Sequence, residues 1–80
     1  MVKIIKMQNG DELLAKETSP GKFAKVRAFH LNQNGHGGLI PWMMLSPDAE
    51  VEINGVASIV DAPLEIEKTY IQSTTELILG

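Results

Sequence analysis

His30 and Asn32 stand two residues apart at the end of Phe23–Asn32, a stretch that reads as a long strand. In a strand such residues share a face. An imidazole and an amide on one face can hydrogen-bond to an unpaired nucleobase or stack on it. The same pair also reads as the polar end of a strand fraying into a loop. Lys25 and Arg27 repeat the two-residue spacing, with Lys22 just before them. Two cations on one side of a strand can neutralise phosphates. They can equally be solvated hairpin charges, or lysines that guard a sheet edge.

Other chemistries fail on residue type. His36-Gly37-Gly38 has the letters of a lipase oxyanion loop, but the chain holds no Gly-x-Ser-x-Gly nucleophile and is too short for that fold. These glycines let the backbone turn tightly or approach a ligand. His30 and His36 are the only imidazoles and have no carboxylate at ligand spacing, so no metal site is expected. Asp48 with Glu50, and Glu65 with Glu67, have nothing around them in sequence that would raise a carboxyl pKa, and read as surface. With no cysteine, disulfides and thiolate metal sites are excluded. The expectation is a non-catalytic protein without cofactor or metal.

The net charge of −3 is unevenly divided. Residues 1–38 carry six bases and three acids; residues 39–80 carry one base and seven acids. A basic face on an acidic protein permits a polyanion partner without demanding one. Met1–Lys6 has no uninterrupted apolar run, so no signal peptide is read there. No stretch approaches the roughly 20 apolar residues that span a bilayer. A soluble, cytoplasmic protein is expected, with no membrane partner.

The elements that would position these residues are short. Val2–Gln8 and Leu13–Thr18 read as strands joined by an Asn9-Gly10 hairpin turn. Ser19-Pro20-Gly21-Lys22 is turn chemistry before Phe23–Asn32. Leu39–Ser46 reads as a strand in which Pro41 hints at a bulge or an edge. Val51–Val60 reads as a fifth strand that can split at Asn54-Gly55. Asp61-Ala62-Pro63 then signals a helix start, with a rough helical stripe at Leu64, Ile66, Tyr70, Ile71, Leu77 and Ile78. The helix is expected over 63–77, with Ser73–Leu79 as an alternative final strand. Residues 1–80 thus read as one domain, mainly β: a small, strongly bent, five-stranded barrel of SH3 or OB type with a C-terminal helix.

Leu39-Ile40-Pro41-Trp42-Met43-Met44-Leu45 has no polar side chain. As a strand it would be apolar on both faces, and a small domain has one core. We therefore expect Leu39, Ile40, Trp42, Met43, Met44 and Leu45 to form the seam of a homo-oligomer. Interface or core packing outweighs base stacking for Trp42.

These residues resemble the Sm-like proteins, rings that bind RNA. Met7-Gln8-Asn9-Gly10-Asp11-Glu12-Leu13 is similar to the opening of the first Sm motif. His30-Leu31-Asn32 is similar to its closing tripeptide, and Val51–Val56 to the second motif, with Asn54 in the arginine position. Ala28 stands where the motif carries Asp, and strand signal begins at Val2 where the family has a helix. The general style also resembles short phage-encoded proteins, for which the setting would be the host cytoplasm. The resemblance implies an SH3-type barrel assembled with itself into a closed ring of about five to seven subunits. It implies a single-stranded RNA or DNA ligand, and a role in nucleic-acid processing. The implied site is Lys22, Lys25, Arg27, His30, Asn32 and Asn54. A structural ring, such as a virion or assembly component without nucleic acid, is the alternative.

Overall fold

The computed structural model describes residues 1–31 and 33–75. Six strands and a helix follow one another: β1 (Val2–Met7), β2 (Glu12–Ser19), β3 (Lys22–Leu31), β4 (Gly37–Pro41), β5 (Val51–Glu52), β6 (Val56–Asp61) and α1 (Leu64–Thr75). All pairings are antiparallel. The sheet order is β4-β3-β2-β1-β6, with β5 on the first residues of β3. The mainly β class and the helix agree with the sequence. The expected fifth strand is split at Asn54-Gly55, as its sequence allows. The sheet is not the expected closed barrel: β4 and β6 lie at its opposite ends.

The alternation of side chains sorts the residues onto two faces. On one, Ile5, Met7, Leu13, Ala15, Phe23 and Val26 form the main core, with Trp42, Val51, Ile53 and Val56 packed against it. On the other, Val2, Leu14 and Tyr70 form a second cluster with Ile4, Leu39 and Ala62. A single core was expected; α1 makes the difference, because Tyr70 covers the second face.

Local chemistry explains the boundaries. The β1–β2 turn is held by the Asp11 N–H donating to Asn9 Oδ1 at 2.9 Å. The Asn54-Gly55 pair divides the expected fifth strand, and the Gln8 N–H donates to Gly55 O at 2.8 Å. Gly55 has φ +79°, a region costly for residues with a Cβ. Gly55→Ala should therefore lower stability by about 1 kcal/mol. Gly38→Ala should cost less, because its new Cβ meets no atom within 4 Å and needs no positive φ. Denaturant melts of the two variants check the contrast.

The expected strand Leu39–Ser46 ends early. β4 stops at Pro41, which has no N–H to donate, and the chain turns through Met43–Ala49. The Trp42 N–H still reaches Val26 O at 3.0 Å, so the indole is drawn over the main core. Leu39 and Trp42 are thus spent on opposite faces of this chain's own sheet. Ile40, Met43, Met44 and Leu45 stay exposed.

The helix starts as its sequence signals require, but not with the expected cap. Pro63 O accepts the first helical bond from the Glu67 N–H at 2.9 Å, and Glu65 and Glu67 sit in the first turn. Asp61 ends β6, and its carboxylate pairs with Lys3 across the β1–β6 seam. Residues 76 and 77 of the expected helix lie outside the described residues, as does most of the alternative strand; Ser73 and Thr74 are helical.

Candidate functional site

β3 carries most of the expected site, and a bulge divides it. Leu14 pairs with Arg27 and Lys16 with Ala24, so two steps along β2 match three along β3. Lys25 is the extra residue, with φ +53°. A bulge of this kind bends the strand and re-aims its side chains. Lys25 and Arg27 therefore do not project together.

Arg27 turns inward and is 5% exposed. Its Nη1 donates to Pro47 O at 2.7 Å, and its Nη2 contacts Asp48 Oδ1 at 3.2 Å. The guanidinium ties the β4–β5 loop to the sheet, so its donors are already spent within the chain.

The remaining expected residues are dispersed. Lys22 is exposed at the start of β3, opposite Glu52. Asn54 is exposed in the segment between β5 and β6. His30 is exposed at the far end of β3, opposite Gly38, roughly 25 Å away at about 3.3 Å per residue. Asn32 lies outside the described residues. The length of β3 thus separates Lys22 from His30, while Asn54 adjoins Gly55, whose carbonyl accepts from the Gln8 N–H in the β1–β2 turn. Among the described residues no cluster of His, Asp or Glu could hold a metal ion. Nor is any helix long and apolar enough to cross a membrane.

Tyr70 is not among the expected site residues, yet it holds the bulge in place. It is 2% exposed, and its hydroxyl donates to Lys25 O at 2.7 Å, with Ala24 O at 3.3 Å. The helix therefore grips the bulge itself. An aromatic on a helical stripe signals burial, but nothing in the sequence signals a bulge at Lys25.

Burial pushes the Tyr70 hydroxyl up to about 12, against the pull of the nearby Arg27 charge. The unfolded hydroxyl ionises near 10. Between these values the unfolded state releases a proton that the folded state keeps, so stability falls as pH rises. The loss should reach about 2 to 3 kcal/mol by pH 12. Lys3, raised by its hydrogen bond to Asp61, adds a loss of the same sign at high pH. Tyr70 is the only tyrosine, so tyrosinate absorbance reports it directly. Tyr70→Phe should flatten the alkaline limb of unfolding free energy against pH, leaving the lysine contribution.

On either side of Tyr70 the helix stands off the sheet. Ile66 roofs an apolar cavity of about 200 Å³ over Ile4, Leu14 and Phe29. A second, of about 310 Å³, continues along Leu39, Thr69 and Ser73. Gly37 makes room for the Phe29 ring there: a Cβ at Gly37 would lie 2.7 Å from Phe29 Cε1. On the opposite flank, Lys16, Lys25, Glu67, Ile71 and Thr74 line a more polar cavity of about 290 Å³. No family model and no curated protein sequence matches the chain.

Proposed function

We propose that this chain is a non-catalytic, Sm-like module that assembles edge to edge into a closed ring, and that the ring binds single-stranded RNA or DNA. One observation carries the assembly. A row of apolar residues crosses the whole sheet in register: Ile40, Ala28, Leu13, Ile5 and Ile59. Leu13 and Ile5 are fully buried and Ala28 partly so, while Ile40 on β4 and Ile59 on β6 are 46% and 44% exposed. Each outer strand pairs on one side only among the described residues. Joining β4 of one copy to β6 of the next would continue both the ladder and the apolar row. Such a head-to-tail contact gives a ring when its rotation closes. The resemblance at Asn9-Gly10, His30 and Asn54 supplies the ring and the ligand class, and repetition around an axis would multiply a weak site.

The inward Arg27 and the wide spacing of Lys22 and His30 favour the second reading, a ring that serves only other proteins. One measurement tests the ring that both readings share, and a second separates them. Sedimentation at micromolar concentration should show a discrete oligomer of about five to seven subunits. Ile59→Lys should reduce it to folded monomer, because an edge lysine blocks strand pairing. A wild-type protein that stays monomeric refutes the assembly. Fluorescence anisotropy with poly-U, poly-A and single-stranded DNA should show saturable binding that weakens with salt. An intact ring with no binding at low salt leaves the structural reading.

A further inference from the structure

The polar cavity beside Tyr70 gathers features that the ring does not use. Lys16 and Lys25 both line it, and among the described residues neither ammonium forms an ion pair. Glu67 lines the same cavity without bridging either of them. Two ammonium groups and one carboxylate leave this lining with an excess of positive charge, which favours an anion. Lys25 is the only residue other than glycine with positive φ among those described. An unfavourable backbone of this kind persists only where its surroundings fix it. The Tyr70 hydroxyl does so, holding the Lys25 carbonyl at 2.7 Å. The bulge thereby places Lys25 beside the Lys16 flank of the sheet and away from Arg27. The Thr74 side chain also lines the cavity; its hydroxyl donates to Ile71 O at 3.1 Å and would turn from it to donate to an anion.

We propose that the cleft between α1 and the β2–β3 bulge is a phosphate-binding site in which Lys16 and Lys25 clasp the anion and Glu67 tempers its affinity. The phosphate is either a free one or a backbone diester of a nucleic acid. In the latter case the site deepens the nucleic-acid reading, on which that arm alone rests, by moving the phosphate contact from the strand end to the helix flank.

The test uses the whole chain and inorganic pyrophosphate, followed by backbone and lysine side-chain NMR. Saturable shifts are expected at Lys16, Lys25 and Thr74. Lys25→Gly is the decisive variant, because glycine adopts the positive φ more readily than lysine and so keeps the fold. It should melt no lower than the wild type, yet weaken pyrophosphate by roughly tenfold or more, the worth of one charge-assisted hydrogen bond. Lys16→Gln should do the same, and Glu67→Gln should tighten binding. A single-stranded DNA oligomer that displaces pyrophosphate identifies a backbone diester as the ligand. Failure to displace it identifies a free phosphate, and the site then stands without the nucleic-acid reading. Absence of saturable shifts, or unchanged affinity in both Lys25→Gly and Lys16→Gln, overturns the proposal.

Discussion

Tyr70→Ala should lower the stability of the domain by about 3 to 4 kcal/mol, in the range for deleting a buried aromatic side chain. Tyr70 is the only helical side chain buried among those described, and it packs on Val2 and Leu14. Its removal also leaves the Lys25 carbonyl without its donor. In a domain of this size such a loss lowers the melting temperature by roughly 15 to 20 °C. Tyr70→Phe keeps the ring and should cost only about 1 kcal/mol. Ile71→Ala, at the half-exposed neighbour, should be close to neutral. Thermal melts at one fixed protein concentration check all three. A Tyr70→Ala protein that melts like the wild type would mean that the helix does not dock through this residue.

Arg27→Ala should be the second most damaging change, at about 2 to 3 kcal/mol, because hydrogen bonds to charged groups are worth more than neutral ones. The variant loses the contacts to Pro47 O and Asp48 that tie the loop after β4 to the sheet. Arg27→Lys should recover only part of the loss, since an ammonium cannot reproduce the guanidinium fork. The sequence alone led us to expect Arg27 as a phosphate ligand. The folded structure instead predicts that any loss of oligonucleotide binding in Arg27→Ala follows the unfolded fraction. If the purified, fully folded variant shows a flatter salt dependence than wild type, Arg27 reaches the ligand after all. Trp42 is the single tryptophan and lies at the start of the tethered loop, so its fluorescence reports loosening of the loop.

Legibility in the sequence follows the range of the interactions. Strand existence, the Asn9-Gly10 turn, the break at Asn54-Gly55 and the helix after Pro63 rest on contacts between near neighbours, and residue types reveal them. The early end of β4 was marked by Pro41, but a run of apolar residues outweighed that mark. The fate of Arg27 depends on Pro47, twenty positions away, and a basic residue in a strand looks the same whether it faces water or a carbonyl. The bulge at Lys25 is invisible because lysine carries no turn signal. Asp61 carries a helix-start signal in sequence, yet a cross-strand lysine, Lys3, claims its carboxylate. Leu39 and Trp42 look like one intermolecular seam because a run of apolar residues does not reveal that the helix supplies a second cover within the chain.

The β1–β6 seam has a consequence for how the domain forms. β1, β2 and β3 pair in sequence through tight turns, so this meander needs little loop closure. β6 pairs with β1, and Lys3 lies opposite Asp61, joining the two ends of nearly the whole sheet sequence. Closing so long a loop costs entropy before any contact repays it. The meander should therefore assemble early in folding, and the β6 strand with its following helix should arrive late. A nascent or locally opened chain then exposes Val2, Ile4 and Ile5 on a β1 edge that the folded protein covers. Aggregation during refolding should accordingly begin at β1, at a place that the native surface does not show.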